Sequence, residues 1–354
     1  MEVFVLLGFV AGIVLLLAGA EFLVRGASRI ASALGLPPVM IGLTVVAIGT
    51  GAPEITVSVA SAWIGRGDLA VGNIVGSNIM NILFVLGASA AITPLVVARR
   101  LVRIDVPIMI GVSLLLVLLA IDGRIGRMDG ALLFAGLIGY MIFLIRQVRG
   151  EPEPIDAPYS PPAGRAGRMG WQILRVLLGL ALLITGSRWM IGGAVSLARA
   201  IGVSELVIGL TIVAVGTSLP EAATSLMAAI RGRREIAVGN VIGSNIFNIL
   251  GVVGIAGVAA PRGIAVSPAA MNFDFPVMLA AAAAALPIFF TGYRIARWEG
   301  FLFLGHYIAY TAYLILKASE HDALPAFSGV MQLFVLPLTA VTLIVVVVRG
   351  WRAK

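Results

Sequence analysis

Two glutamates that interrupt long apolar segments are the residues of this sequence with the clearest chemical meaning. Glu54 ends the motif GTGAPE, and Glu221 ends the related motif GTSLPE. A lone carboxylate at membrane depth costs about 2.5 kcal/mol or more, so such residues usually face a cavity and carry function. A carboxyl group that only holds helices together is the simpler interpretation, but the duplication of the motif argues against it.

The residues before each glutamate predict a broken helix that presents oxygen atoms. Pro53 cannot donate a hydrogen bond to the carbonyl of Gly49, nor Pro220 to that of Gly216, so we expect free main-chain oxygens at both places. Helical spacing puts each glutamate on one face with nearby oxygens. The two faces comprise Ala47, Thr50, Gly51 and Glu54 in the first copy, and Ala214, Thr217, Ser218 and Glu221 in the second.

A polar stripe follows each motif in the next apolar segment. Its members recur every four residues: Asn73, Ser77 and Asn81 in the first copy, and Asn240, Ser244 and Asn248 in the second. We expect the stripes to face the glutamate helices. Hydrogen bonding between helices, with Gly72, Gly76, Gly239 and Gly243 as small-residue contacts, is an alternative role for the same residues.

All these candidate ligands are oxygens, and the sequence contains no Cys. This chemistry excludes a thiolate metal site and favours Ca²⁺, Na⁺ or Mg²⁺. The two negative charges of these carboxylates would balance the charge of one divalent cation. Without a cation, two such charges repel each other, so at least one should take up a proton and protons should compete with the metal. No organic cofactor is predicted.

The elements that must position these residues are membrane-spanning helices. The chain is 60% hydrophobic and 12% charged, whereas a soluble domain is about 25% charged. Eleven apolar stretches are long enough to cross a bilayer. They cover residues 2–24, 38–64, 70–97, 104–121, 128–146, 171–195, 205–230, 236–260, 269–290, 299–317 and 326–348.

The chain contains an internal repeat. Residues 42–87 align without gaps with residues 209–254, and 26 of the 46 aligned positions are identical. We divide the chain into a first five-helix repeat (1–148), a Pro- and Gly-rich cytoplasmic linker (149–169), a second five-helix repeat (170–317) and an additional C-terminal helix (326–348). Five is an odd number, so the second repeat enters the membrane inverted. The fold class is therefore an all-α integral membrane protein with inverted repeats.

The net charge of +8 reports membrane orientation rather than nucleic-acid binding. With the N-terminus outside, the inner loops and C-terminal tail contain 18 of the 25 Lys and Arg residues by direct count. Inner loops of membrane proteins carry an excess of basic residues. We therefore expect the N-terminus outside and the C-terminus inside.

The paired motifs, GTGAPE with GNIVGSNIMN and GTSLPE with GNVIGSNIFN, resemble the two alpha repeats of the cation/calcium exchanger superfamily, in its prokaryotic sodium/calcium exchanger branch. The resemblance covers roughly residues 1–317. It implies an antiporter of the prokaryotic inner membrane that uses a Na⁺ gradient to move Ca²⁺ by alternating access, with lipid and these two ions as its partners.

The resemblance also implies a ligand set. The central Ca²⁺ ligands would be Glu54, Glu221, Thr50 and Thr217, and the flanking Na⁺ sites would use the carbonyls of Ala47 and Ala214 with Ser77, Ser218 and Ser244. Many relatives have Ser where this chain has Gly51, so one flanking site should be weaker. Asn81 and Asn248, where K⁺-dependent members carry Asp on one side, imply a K⁺-independent exchanger.

Three alternatives to Na⁺/Ca²⁺ antiport are consistent with parts of the pattern. A H⁺/Ca²⁺ exchanger could use the same glutamate pair. An intramembrane enzyme could use the pair as acid and base, but the sequence lacks HExxH and any Cys nucleophile. A structural or signalling membrane protein would not need two broken helices that each carry a buried glutamate.

Overall fold

Long apolar helices dominate the computed structural model, which describes residues 2–148, 169–202, 208, 212, 214–290 and 292–352. Within these residues, nine helices are long and apolar enough to cross a membrane, and a bent pair makes a tenth span. The helices are α1 (Glu2–Leu34), α2 (Pro38–Thr50), α3 (Ala52–Trp63), α4 (Gly67–Ile92), α5 (Leu101–Leu119), α6 (Arg127–Val148), α7 (Met169–Ala200), α8 (Leu219–Ile230), α9 (Arg234–Ala259), α10 (Ala270–Phe290), α11 (Arg297–Ala318) and α12 (Leu324–Val345).

Two of the predicted helices are longer than the sequence suggested. The first span was expected to end at residue 24, but α1 continues to Leu34 and stops before Gly35, whose φ of 65° terminates the helix. The sixth was expected over 171–195 and covers Met169–Ala200. Of the predicted span 205–230, the structure describes α8, the short helix Ala214–Gly216 and a few other residues. Residues 149–168 of the predicted linker lie outside the described residues.

The helices α1 and α7 pack against each other backbone to backbone and run antiparallel. A Cβ atom added to Gly19 would lie 2.7 Å from the backbone nitrogen of Leu183, and one added to Gly186 would lie 2.7 Å from that of Leu16. Real Cβ atoms do not approach backbone atoms this closely. Glycine at these positions therefore permits a helix contact that larger residues would prevent.

Two short antiparallel strand pairs join the halves at opposite ends of the molecule. The strand β1 (Leu95–Val96) pairs with β4 (Arg294–Ile295), and β2 (Arg124–Ile125) pairs with β3 (Ile264–Ala265). In each pair, one strand lies in the loop before the fourth helix of one repeat. The other strand lies in the loop before the fifth helix of the other repeat. Paired loops must lie on the same side of the membrane, as the inverted topology requires.

The core consists of the helix pairs that carry the repeated motifs. Most residues of α9 and α4 are buried, whereas few residues of α11 and none of α12 over Leu324–Val345 are fully buried. Exposed apolar side chains are expected where a helix faces lipid. The polar motifs therefore lie at the centre of the protein, with the more apolar helices around them.

Candidate ion-binding site between the two halves

Both glutamates lie at the start of a helix, directly after a break in the chain. The helices α2 and α3 meet at an angle of 46°, and Gly51 between them has φ −74° and ψ 3°, outside the helical region. Ser218 has nearly the same geometry before α8, with φ −88° and ψ 6°. Glu54 and Glu221 therefore lie in the first turns of α3 and α8, where the helix dipole favours negative charge.

The carboxyl group of Glu54 contacts hydroxyl groups from both repeats. Its Oε1 lies 3.4 Å from the Oγ of Ser77 and 3.1 Å from the Oγ of Ser218, and the two hydroxyl oxygens are 2.8 Å apart. All three residues are buried. We call this group of three residues the Ser77 cluster; it joins α3 and α4 of the first repeat to the start of α8 in the second.

The two carboxyl groups leave several buried oxygens unsatisfied. Among the described residues, neither oxygen of Glu221 accepts a well-formed hydrogen bond, although the Thr50 hydroxyl lies beside this carboxyl group, and the Oε2 of Glu54 has no partner. The two groups lie close enough to repel each other, and Thr50 lies beside Glu221. Unsatisfied buried carboxylate oxygens are costly, and a bound cation would satisfy them.

Asn73 and Asn240 make equivalent hydrogen bonds between helices. The Nδ2 of Asn73 donates to Ser58 at 2.8 Å and to the carbonyl of Glu54 at 3.4 Å. The Nδ2 of Asn240 makes the same contacts, at the same two distances, with Ser225 and the carbonyl of Glu221. These asparagines hold the glutamate helices in place. The sequence reasoning did not single out the two serines, which recur at the same repeat position.

Thr50 and Thr217 have different hydrogen bonds although they are repeat counterparts. The hydroxyl of Thr50 donates to the carbonyl of Val46 at 3.0 Å within its own helix. The hydroxyl of Thr217 donates to the Oδ1 of Asn73 at 2.9 Å, in the other repeat. Thr50 thus bonds within its own helix and lies beside Glu221 of the other repeat, whereas Thr217 bonds directly to a side chain of the other repeat.

Asn81 and Asn248 form hydrogen bonds across the repeat boundary with two residues that the sequence reasoning missed. The Nδ2 of Asn81 donates to Asn245 at 3.4 Å, and that of Asn248 donates to Asn78 at 3.1 Å. The Oδ1 atoms of Asn81 and Asn248 have no partner among the described residues. Asn78 and Asn245 stand at the same place in both copies of the motif GSNI, and that identity was the available signal.

The backbone also departs from regular α-helix at Asn81 and Asn248. A π-helical turn begins at Asn81 and extends over Asn81–Leu86, and its counterpart covers Asn248–Val253. Such turns inside helices occur often at functional sites. The duplication of the turn shows that it follows from the repeated sequence.

The two predicted backbone ligands are the carbonyl oxygens of Ala47 and Ala214. Ala47 is buried, and its carbonyl accepts the N–H of Gly51 at 3.1 Å. Ala214 begins the short helix Ala214–Gly216. Across the part of the chain that the structure describes, no group of three or more His, Cys, Asp or Glu residues could hold a metal. A cation here would therefore need hydroxyl, amide or carbonyl oxygens beside the two carboxylates.

Comparison with known proteins decides the family. The family described as sodium/calcium exchanger protein matches residues 4–146 and 171–316. The chain belongs to this family. It is 41% identical to the candidate antiporter CaxA of Alkalimonas amylolytica over 87% of this chain and 97% of that one. It is 30% identical to the sodium/calcium exchanger MaX1 of Methanosarcina acetivorans, over 86% and 96%.

A solved structure of this exchanger family has the same fold. The sodium/calcium exchanger from Methanococcus jannaschii superposes with a TM-score of 0.76 at 31% identity, covering 88% of this chain and 99% of that one. The predicted all-α membrane fold with two repeats is thereby confirmed, as is membership of the cation/calcium exchangers. The protein is an integral membrane transporter of cations and not an enzyme.

Proposed function

We propose that this exchanger is a secondary antiporter that moves Na⁺ against Ca²⁺ by alternating access, independently of K⁺. Ca²⁺ binds centrally to Glu54, Glu221, Thr50 and Thr217. Na⁺ binds at flanking positions that use the carbonyls of Ala47 and Ala214 with Ser77, Ser218 and Ser244. Asn81 and Asn248 add neutral amide oxygens beside the two carboxylates.

One observation carries this proposal: two buried carboxyl groups from opposite repeats lie close enough to repel each other, and three of their four oxygens accept no well-formed hydrogen bond among the described residues, with the Thr50 hydroxyl beside Glu221. A structural pair of carboxyl groups would be expected to satisfy its oxygens with protein donors. A divalent cation satisfies them and balances both charges. The named sodium/calcium exchangers among the relatives support Na⁺ as the driving ion.

Calcium uptake into proteoliposomes tests the proposal. A Na⁺ gradient should drive uptake of radioactive Ca²⁺, and a pH gradient of the same size should not. Glu54→Gln and Glu221→Gln should each reduce Na⁺-driven uptake by roughly 100-fold, because each removes one charge from a buried ionic site. Glu320→Gln is the matched control, since Glu320 is exposed in a loop.

Uptake that follows the pH gradient and ignores Na⁺ would identify a H⁺/Ca²⁺ exchanger instead. Uptake that is unchanged in both glutamine variants would remove the site from the mechanism. Adding K⁺ should have no effect on the rate, and a requirement for K⁺ would contradict the role given to Asn81 and Asn248.

We further propose an inner-membrane location with the N-terminus outside and the C-terminus inside. Because the chain has no Cys, a single introduced cysteine is the one position of this protein that a thiol reagent can label. Glu320→Cys should react with an impermeant maleimide added outside intact cells, and the exposed Arg29→Cys should react only after lysis. The opposite pattern would reverse the orientation.

A further inference from the structure

An ion pair links α1 to the end of α8. The Nε of Arg231, the residue directly after α8, lies 2.8 Å from the Oε2 of Glu21 in α1. Arg25, one turn further along α1, pairs with the same carboxylate. The side chain of Glu21 is 18% exposed, whereas that of Arg231 is 52% exposed. This contact joins residues 210 positions apart, so it belongs to the way α1 lies against α8.

Helix α1 forms one structural unit with α7. Their backbones touch at both ends as well as at Gly19. A Cβ atom on Gly12 would lie 2.5 Å from the backbone nitrogen of Met190, and one on Gly26 would lie 3.1 Å from the carbonyl oxygen of Gln172. Contacts this close along the whole length leave no room for the two helices to separate. Glu21 therefore moves with both α1 and α7.

Helix α8 belongs to a second unit, which comprises α3 to α6 and α8 to α11 and which we call the frame. The strand pairs β1–β4 and β2–β3 join its two halves at opposite ends. Near one strand pair, Arg127 donates to the carbonyl of Ala260 at 3.4 Å. Near the other, Arg297 donates to the carbonyl of Ile92 at 3.3 Å. Arg231 is therefore attached to a body that is tied together at both ends, and Glu21 is attached to the other unit.

The two units do not meet symmetrically. Helix α1 packs along α8, whereas over their described residues α7 makes little contact with α3, the helix that the repeat relates to α8. Side-chain burial follows the same asymmetry. Thr224 of α8 is 0% exposed, and its repeat counterpart in α3, Val57, is 39% exposed. The α8 face is covered, and the equivalent α3 face is open.

This asymmetry indicates what happens to the ion pair in the opposite-facing state. An inverted-repeat transporter reaches that state when its two repeats exchange their arrangements. Helix α7 then lies along α3, and α1 leaves α8. The repeat counterpart of Glu21 is Arg188. That of Arg231 is Ile64, which has no charge. The ion pair therefore exists in one of the two states, and no equivalent pair forms in the other.

We propose that Glu21 and Arg231 form a one-sided latch, which stabilises the state in which α1 lies along α8 over the opposite-facing state. In the proposed orientation the latch lies at the inner face. It supplies no ligand to the ion site, so it sets the populations of the two states and not the affinity of either one for the ion. For a partly exposed pair the effect on the ratio of populations is at most about fivefold. This inference rests on the proposed alternating access.

Cross-linking tests whether the latch must open during transport. Because the chain has no Cys, Glu21→Cys and Arg231→Cys in one variant can be joined by a short bifunctional thiol reagent, and we expect Na⁺-driven Ca²⁺ uptake to be lost when they are joined. Val96→Cys with Arg294→Cys is the matched control, since these residues are partners in the strand pair β1–β4 of the frame. Joining them should leave uptake unchanged. Full uptake by the joined latch pair would overturn the inference.

A distance measurement tests the latch independently of ion flux. Spin labels on Arg29→Cys in α1 and Val96→Cys in the frame report the position of α1 in liposomes by pulsed electron paramagnetic resonance. Arg231→Gln should raise the population of a second distance by up to about fivefold. Arg25→Gln, which removes a partner of Glu21 on its own helix, should not. An unchanged distance distribution in Arg231→Gln overturns the latch, whereas the expected shift in a protein without Na⁺-driven uptake contradicts the proposed exchange alone.

Discussion

The hydroxyl of Ser218, in the second half of the chain, lies 3.1 Å from the Oε1 of Glu54 in the first half. Residues 164 positions apart thus share one hydrogen-bonding cluster, since Ser77 contacts both. Each repeat supplies part of the environment of the other's glutamate. Changing one member should therefore affect ion binding by the whole site.

Replacement of Ser218 by Ala should weaken Na⁺ binding. The variant removes a proposed hydroxyl ligand and a contact to Glu54, and losing one such interaction costs about 1 kcal/mol, or roughly fivefold in affinity. The measurement is the Na⁺ concentration that gives half-maximal Ca²⁺ release from loaded proteoliposomes. Thr342→Ala is the control, because the hydroxyl of Thr342 bonds only within the C-terminal helix, to the carbonyl of Leu338 at 2.8 Å. Equal Na⁺ dependence in both variants would exclude Ser218 as a ligand.

Calcium affinity should fall as the pH is lowered. Carboxylate ligands must be deprotonated to bind a metal, so protons compete with Ca²⁺ for Glu54 and Glu221. The apparent KM for Ca²⁺ should rise by up to about tenfold per pH unit for each proton that must leave, while the maximal rate at saturating Ca²⁺ changes less. Initial rates between pH 8 and pH 5 check this. A KM independent of pH would show that neither carboxyl group binds the ion.

Replacement of Gly19 by Ala should destabilise the protein. The added Cβ would meet the backbone of α7 at 2.7 Å, and overpacking of this kind costs about 1–3 kcal/mol. Gly8→Ala is the matched control, because a Cβ at Gly8 on the same helix meets no atom within 4 Å. Thermal unfolding of the detergent-purified variants compares them. A similar Tm for both would mean that α1 and α7 are not tightly packed.

Tyr140 and Tyr310 should contribute to stability through a repeated hydrogen bond. The hydroxyl of Tyr140 donates to Asp105 at 3.0 Å, and that of Tyr310 donates to Asp274 at 2.9 Å. Tyr140→Phe leaves a buried carboxyl oxygen of Asp105 without this donor, which costs about 1–3 kcal/mol. The Tm should fall accordingly. Tyr313→Phe retains the ring stacked on Phe273 and should change the Tm little; an equal loss in both variants would contradict this explanation.

Removal of the C-terminal helix should leave ion exchange intact. No residue of α12 is fully buried over Leu324–Val345, although Leu343 packs against the core, and Thr339 of this helix lies 3.3 Å from His306 in α11. Truncation after Asp322 therefore removes a peripheral contact rather than part of the site. Na⁺-driven Ca²⁺ uptake by the truncated protein should stay within about twofold of the full chain, after correction for protein amount. Complete loss of uptake by a folded truncated protein would give this helix a role in the mechanism.

The sequence was sufficient for the architecture because the pattern that determines it is local and duplicated. Apolar stretches of bilayer length predict spanning helices, and the odd number of helices per repeat predicts inversion. Proline and glycine before Glu54 and Glu221 predicted the breaks that the structure contains at Gly51 and Ser218. The limits of α1 and α7 were less predictable, because helices can extend beyond the bilayer.

Contacts between the halves were decided only by the tertiary structure. The sequence placed Asn81 and Asn248 on faces directed toward the glutamates, but their amides bind Asn245 and Asn78 across the repeat boundary. The spacing of residues along one helix predicts the face on which a side chain lies. It does not predict which residue of another helix will contact that side chain.

The sequence by itself determined a membrane transporter with an inverted pair of repeats, each carrying a buried glutamate beside oxygen-bearing side chains that we propose as ligands. Only the tertiary structure showed that Ser218 completes a cluster with Ser77 and Glu54, while Phe247 covers Gly51 on the other side. The physical reason is that a repeat specifies equivalent backbones, whereas the packing of unlike side chains at their interface decides which oxygens remain free for an ion.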